Sequence, residues 1–273
     1  MKKILISTMA LFIFLSVGTS LARETVSVVG SSSVAPLMEV LSENYMKSNP
    51  RVFIEVQGPG SSAGIKAVQN GSADIGMVSR NLRGSEKQLN LVERLVAQDG
   101  IAVIVNPQNT IKGLNSEQIS AIYRGQVRNW KYVGGNDQPI VAITRDTASG
   151  TRGAFEEIMK LKRKIGGKEV SAISQRAQVA NGNGSLKVMV ASNPYAIGYI
   201  SLGSVDPSIQ SLSVNGFSAS VANVSKHLYD VRRPFLILYK KSPKSEEVTK
   251  FIKWILSGEA QDRVRERGYI SIN

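Results

Sequence analysis

The chain has 273 residues, 42% of them hydrophobic and 20% charged, which is a globular composition with length for one large or two medium domains. It has no cysteine, which excludes disulfides, thiolate catalysis, zinc–sulfur sites and a lipid-bearing cysteine; its one histidine, His227, excludes a histidine-rich metal site. The formal charge of +13 suits attraction of small anions, nucleic acid or acidic surfaces.

The first 22 residues read as a cleavable signal peptide: Lys2 and Lys3, an uncharged apolar run from Ile4 to Val17, then Ser20-Leu21-Ala22 as a small-x-small cleavage site. The run is too short to span a bilayer comfortably. The 34 basic residues less Lys2 and Lys3 leave 32 against 21 acidic, so the mature charge is +11. The densest basic runs, Lys160 to Lys168 and Arg263 to Arg267, interleave with apolar or acidic residues and read as solvated helix faces. Neither has the aromatic interleaving of a single-strand groove, so no nucleic-acid partner is expected.

Thr25 to Val29 forms a first strand that opens into Gly30-Ser31-Ser32-Ser33. A helix follows with Val34, Leu37, Met38, Leu41 and Tyr45 at helical spacing and Pro36 in its first turn. A second strand, Phe53 to Val56, opens into Gly58-Pro-Gly-Ser61-Ser-Ala-Gly64 and a short helix, and a third, Asp74 to Val78, ends at Ser79-Arg80. Strands alternating with helices imply a parallel sheet whose ligands collect at the carboxyl ends of the strands. Helical residues near Glu86 to Ala97 lead to the apolar strand Ile101 to Val105. Asn115 and Gln118 make a capping pair for the next helix, and Trp130 reads as the core of a packed loop.

The most informative stretch comes next. The apolar run Ile140 to Thr144 ends in Arg145, followed by Asp146-Thr-Ala-Ser149-Gly150-Thr151 and a segment with Ala154, Phe155, Ile158 and Met159 on one face. This is strand, turn and helix, with hydroxyl donors and a close-approach glycine at a helix entrance that already carries unpaired N–H groups and partial positive charge. Arg145 adds a permanently charged forked donor. An ordinary N-cap beside a surface arginine is the plainer reading of this stretch taken alone. Asn181-Gly-Asn183-Gly-Ser185 is a further turn before a helix, Ala196 to Ile200 a strand, and Gly203 to Asp230 has few signals. Arg233-Pro234 opens the strand Phe235 to Tyr239; Ser245 caps a last long helix with Val248, Phe251, Ile252, Ile255 and Leu256 on one face. Two similar βα-rich halves suggest two lobes, with the chain leaving the first near Ile101 and returning before Phe235.

With Arg145, Ser149-Gly150-Thr151, the Gly58 to Gly64 run, Tyr123-Arg124-Gly125 and Ala196-Ile-Gly-Tyr-Ile200, the whole mature chain resembles the periplasmic phosphate-binding receptors of the PstS type, class II periplasmic binding proteins. The resemblance implies an α/β, two-lobe periplasmic binding protein-like II fold, each lobe a mostly parallel sheet flanked by helices, with residues 23–100 and 232–273 in lobe 1 and 101–231 in lobe 2. It implies inorganic phosphate held in the interlobe cleft without metal or cofactor, and delivery to the membrane subunits of an ABC permease by a monomeric, non-enzymatic periplasmic receptor. Carried over by position, Ser32, Ser33 and Ser61 would donate from lobe 1, Arg145 would give the charged contact, and Ser149, Gly150 and Thr151 would close round the anion. Family members place an aspartate after the third strand; here Ser79 stands there, followed by Arg80, which reads as a structural ion-pair partner. A serine can accept one hydrogen bond but carries no charge to repel sulfate. Receptors for another tetrahedral oxyanion, sulfate or molybdate, therefore stay open beside phosphate, and an exported phosphatase using Ser149 or Ser61 is the reading from another class.

Overall fold

The computed structural model describes residues 23–272, so the signal-peptide reading of residues 1–22 lies outside the described residues. The first half alternates β1 (Glu24–Gly30), α1 (Ala35–Ser48), β2 (Val52–Gln57), α2 (Ser61–Asn70) and β3 (Ile75–Val78). Pro36 sits in the first turn of α1, where a missing N–H costs nothing, and Leu37, Met38, Leu41 and Tyr45 are buried. Strands β2, β1 and β3 are parallel neighbours, joined by the helical crossovers that parallel pairing needs.

The short helix α3 (Gly84–Lys87) ends quickly, and β4 (Leu91–Val105) follows where the sequence predicts helix up to Ala97. Asn90 has φ 56°, a left-handed residue that stops helical propagation. From Leu91 to Gly100 the strand pairs antiparallel with β13 (Arg232–Lys240), and this long-range ladder overrides the local helical spacing of Leu89, Val92 and Val96. From Ile101 onward β4 has a new partner, β10 (Ala196–Ser201). One strand thus runs through both lobes and changes neighbours between Gly100 and Ile101.

The second lobe contains β5 (Gly113–Leu114), α4 (Ser116–Tyr123), β6 (Val141–Arg145), α5 (Gly150–Ile158), the hairpin strands β7 (Lys162–Ile165) and β8 (Lys168–Ser171), β9 (Gln178–Ala180), α6 (Asn183–Ala191), β10, β11 (Gln210–Ser211), β12 (Ser213–Val214) and α7 (Val221–Ser225). The chain returns through β13 and closes with α8 (Glu246–Ile255) and α9 (Gly258–Glu266). The sheet order is β2-β1-β3-β13-β4-β10-β6-β9, parallel towards both ends and antiparallel at β13 and β4 in the middle. Asn115 and Gln118 make the reciprocal capping bonds at α4, and Trp130 is 2% exposed in a single 3-10 turn.

The basic run from Lys160 to Lys168 is not a helix face. Gly166 and Gly167, both at positive φ, make a two-residue turn that only glycine enters freely, and the flanking residues pair as the exposed β7–β8 hairpin. Arg263 and Arg265 do lie on a solvated helix face, in α9, paired with Glu266 and Asp262.

Each lobe has its own core: Val28, Leu37, Phe235 and Phe251 in one, Tyr123, Trp130, Phe155 and Tyr199 in the other. Tyr199 stacks on Phe155 with ring centroids 3.9 Å apart, which fixes β10 against α5 directly beneath the end of β6. No helix among the described residues is long and apolar enough to cross a membrane.

Candidate functional site

Four helix entrances meet where the carboxyl ends of the strands from both lobes converge. Lobe 1 brings Ser31, Ser32 and Ser33 before α1, Ser61 at the start of α2, and Ser79 after β3. Lobe 2 brings Arg145 at the end of β6, Ser149, Gly150 and Thr151 at the start of α5, and Asn183 at the start of α6. Ser33, Ser61, Ser79, Arg145, Ser149 and Thr151 are all no more than 3% exposed. Buried side chains this polar persist only when hydrogen-bonded, and these are.

Arg145 is fixed from three directions. Its Nε donates to the Ala180 carbonyl at 3.1 Å, its two terminal nitrogens to Asn183 Oδ1 at 3.0 Å and Ser32 Oγ at 3.2 Å. Five guanidinium N–H groups less these three leave donors for a ligand. The backbone carbonyl of Arg145 is held by Arg152 at 2.8 Å and its amide by the Tyr199 hydroxyl at 3.4 Å. Asp146 has two tasks: one oxygen accepts the Ala148 amide at 2.8 Å and shapes the turn, the other lies 3.7 Å from the Arg145 guanidinium. Burial lowers the Arg145 pKa from its ordinary value and the nearby Arg233 charge lowers it further, against the opposing pull of Asp146 and Tyr199. Arginine keeps its proton in proteins, so this position favours a bound anion.

The two lobes touch through these groups. Ser33 Oγ and Thr151 Oγ1 are 2.9 Å apart, Asn183 Nδ2 donates to Ser33 Oγ at 2.9 Å, and the Ser62 amide donates to the Ala148 carbonyl at 3.1 Å. Gly150 packs so closely on lobe 1 that a Cβ would overlap Ser61 Oγ and lie 2.5 Å from Ser79 Oγ. A Cβ at Gly60 would stand 2.9 Å from the Ala148 carbonyl oxygen, and φ there is +118°. Both glycines are where backbone must come close to backbone or hydroxyl. Ser149 caps α5 by accepting the Arg152 amide at 3.2 Å.

Ser79 is wholly buried within this cluster. Its Oγ accepts from Ser31 Oγ at 2.8 Å and lies 3.4 Å from Ser61 Oγ, while its amide donates to Ser61 Oγ at 3.1 Å. Arg80, the next residue, turns away and forms a two-armed ion pair with Glu86 at 2.6 and 2.8 Å.

Three participants are not among the residues singled out from the sequence. Ser31 joins Ser79, and Asn183 bridges Arg145 to Ser33; the glycine-rich turn before α6 was a readable sign for Asn183, as a fourth helix entrance. Arg233 has no local sign at all. Its Nε and one terminal nitrogen grip Asp99 at 3.1 and 2.9 Å, while the other donates to Thr151 Oγ1 at 2.6 Å and the Ser79 carbonyl at 3.3 Å. Burial pushes the Asp99 carboxyl up and the Arg233 guanidinium down from their ordinary values, each offset by the other's charge. Among the described residues no cluster of His, Asp and Glu side chains could hold a metal. The arrangement offers the Arg145 guanidinium, hydroxyls and helix-terminal amides, with the Arg233 guanidinium held on Asp99 and Thr151 beside them, which is chemistry for holding a small oxyanion.

The sequence profile of the PBP superfamily domain matches residues 16–259. Among curated proteins the chain is 29% identical over 254 residues to the phosphate-binding protein PstS of Borreliella burgdorferi, covering 92% of this chain and 91% of that one. Among solved structures it is 43% identical, with a TM-score of 0.86, to a Clostridium perfringens protein described as a phosphate ABC transporter substrate-binding protein with bound phosphate, over 92% of this chain and 100% of the other. A Vibrio cholerae ABC-type phosphate transport receptor is 42% identical, with a TM-score of 0.76, over 90% of this chain and 99% of that one.

Proposed function

The chain belongs to the PBP superfamily domain family, and from that premise we propose that it is a solute receptor that binds inorganic phosphate between two lobes and delivers it to an ABC-type permease. The observation that carries this reading is the convergence of Arg145 with four hydroxyl-bearing or amide-bearing helix entrances at one buried place. A desolvated dianion is costly unless nearly every oxygen is paired, and only a donor-dense site drawn from several elements meets that demand. Ser32, Ser33, Ser61, Ser79, Arg145, Ser149, Gly150 and Thr151 form the ligand shell in this reading, with lobe 1 made of residues 23–100 and 232–273 and lobe 2 of 101–231. The lobes rock about the strands β4 and β13, next to the place where β4 exchanges one partner for the other. The receptor works as a monomer in the periplasm, after removal of its first 22 residues.

Ser79 supports a second reading within the same class, a receptor for another tetrahedral oxyanion. A hydroxyl already accepting from Ser31 offers the proton of hydrogen phosphate a weak acceptor and gives sulfate no repulsion. Hydrolysis is disfavoured by chemistry: the candidate nucleophiles Ser61 and Ser149 accept backbone amides, and a serine nucleophile needs a base beside it. Calorimetric titration with phosphate, sulfate and molybdate separates these. Micromolar or tighter phosphate binding that falls at least about tenfold in Arg145→Ala is the expected result. Tight binding of sulfate or molybdate with weak phosphate binding would transfer the assignment to the other anion.

A further inference from the structure

We infer that Arg233 is a positioning residue of the anion site, working through Thr151 to set which way the hydroxyls of both lobes point; this rests on the anion-receptor reading above. Arg233 lies on β13 opposite Asp99 of β4, one residue before β4 changes partners at Gly100 and Ile101. Asp99 takes two of its nitrogens and is itself held by Ser201 Oγ of β10 at 2.9 Å, while the guanidinium carbon stands 5.3 Å from the centre of the Phe235 ring. The remaining nitrogen reaches Thr151 Oγ1 of lobe 2 and the Ser79 carbonyl of lobe 1 together. A planar fork serves two such directions at once; the point charge of lysine does not.

Proton counting gives the consequence. Thr151 Oγ1 accepts from Arg233, and Ser33 Oγ accepts from Asn183 Nδ2, which is ordered in turn because its Oδ1 accepts from Arg145. Ser33 and Thr151 share one hydrogen bond at 2.9 Å, so one of their two hydroxyl protons makes it and the other is free to donate. With a guanidinium donor at each end of this chain, the pair presents a donor to the bound oxyanion. Without Arg233, Thr151 is free to rotate and the pair loses that fixed order. The contact joins β13 to the start of α5, so Arg233 also ties the ordering to the approach of lobe 2.

The test is a double-mutant cycle read by phosphate titration: wild type, Arg233→Lys, Thr151→Val and the double variant, with the melting temperature of each without phosphate. Each single change is expected to weaken binding by about tenfold or more, as for a lost charge-assisted hydrogen bond, and the double variant to bind within about threefold of the weaker single. Asp99→Asn releases Arg233 from its anchor and is expected to behave as Arg233→Lys does, including non-additivity with Thr151→Val, which keeps the idea testable if Arg233→Lys does not fold. Losses that multiply, or an Arg233→Lys protein that binds as the wild type does, would overturn the inference. A wild type that prefers sulfate or molybdate fails only the phosphate reading, and the cycle is then read with that anion. One that binds no tetrahedral anion defeats both.

Discussion

In the proposed anion site Arg145 closes β6 and Ser79 follows β3, and the two are expected to set different properties. Arg145 uses its Nε and both terminal nitrogens on Ala180, Asn183 and Ser32, so its direction is fixed before any ligand arrives. Arg145→Lys keeps the charge and loses that geometry; a loss of phosphate affinity of about tenfold or more is expected by calorimetry, with wild-type affinity counting against it. Ser79→Asp changes selectivity instead. A carboxylate beside Ser31 and Ser61 gives hydrogen phosphate an acceptor and sulfate a like charge, an opposition of several kcal/mol when desolvated. The ratio of phosphate to sulfate affinity is therefore expected to rise by well over tenfold, measured on one preparation with both anions. At this scale the sequence was most legible where chemistry and local signals coincide. Arg145 and Ser149 to Thr151 lie in one strand–turn–helix run, and their neighbours could be read off together. Arg233 carries an equally direct contact, but its partners sit at positions 79, 99 and 151, and no window of the chain contains that relation.

Secondary-structure elements show the same division between local and long-range information. Helices α1, α4 and α5 follow from Pro36, the Asn115–Gln118 box and Ser149, all signals within one turn of the helix start. Leu91 to Ala97 misleads because its spacing fits a helix, while the backbone bonds that decide the matter come from β13, more than a hundred residues away. The hairpin at 162–171 was misread as a helix face, although Gly166-Gly167, both at positive φ, is a turn signal that outweighs the apolar spacing round it. Element α3 allows a pH-dependent test. Glu86 is raised by burial, but the two bonds from Arg80, the Arg83 amide and both guanidinium charges outweigh this and hold its carboxyl below the usual carboxylate range. A depressed carboxyl contributes stability above its unfolded pKa and loses it as pH falls through the lower folded value. Glu86→Gln is thus expected to cost about 3 kcal/mol near neutral pH, leaving Arg80 buried without its partner, and progressively less in acid. Thermal melts of both proteins across that range check it; a deficit that does not shrink on acidification would assign the loss to packing.

For the whole molecule the decisive quantity is the fit between lobes, since each has its own core and they meet through hydrogen bonds and close glycines. Gly150 separates folding from closure. Gly150 is the first residue of α5 and has no positive φ, so an alanine suits the helix there and Gly150→Ala is expected to leave lobe 2 folded. Across the interface the new methyl would stand 2.1 Å from Ser61 Oγ and 2.5 Å from Ser79 Oγ, both wholly buried and bonded to one another. The lobes must then stop short of the arrangement in which Ser33 reaches Thr151 and Asn183. The expected phenotype is a protein with an undiminished melting temperature, phosphate affinity reduced by about a hundredfold, and no contraction on adding phosphate in small-angle X-ray scattering, against an expected contraction of the wild type. The affinity figure assumes that one lobe's charge-assisted bonds are lost together, about 3 kcal/mol. Substitution at Gly60 is a poorer probe, because φ +118° strains any side chain there and mixes a folding defect with the closure defect. If Gly150→Ala contracts with phosphate as the wild type does, the close approach of α5 to Ser61 is not the stop that defines the closed receptor, and closure must be limited elsewhere along the cleft.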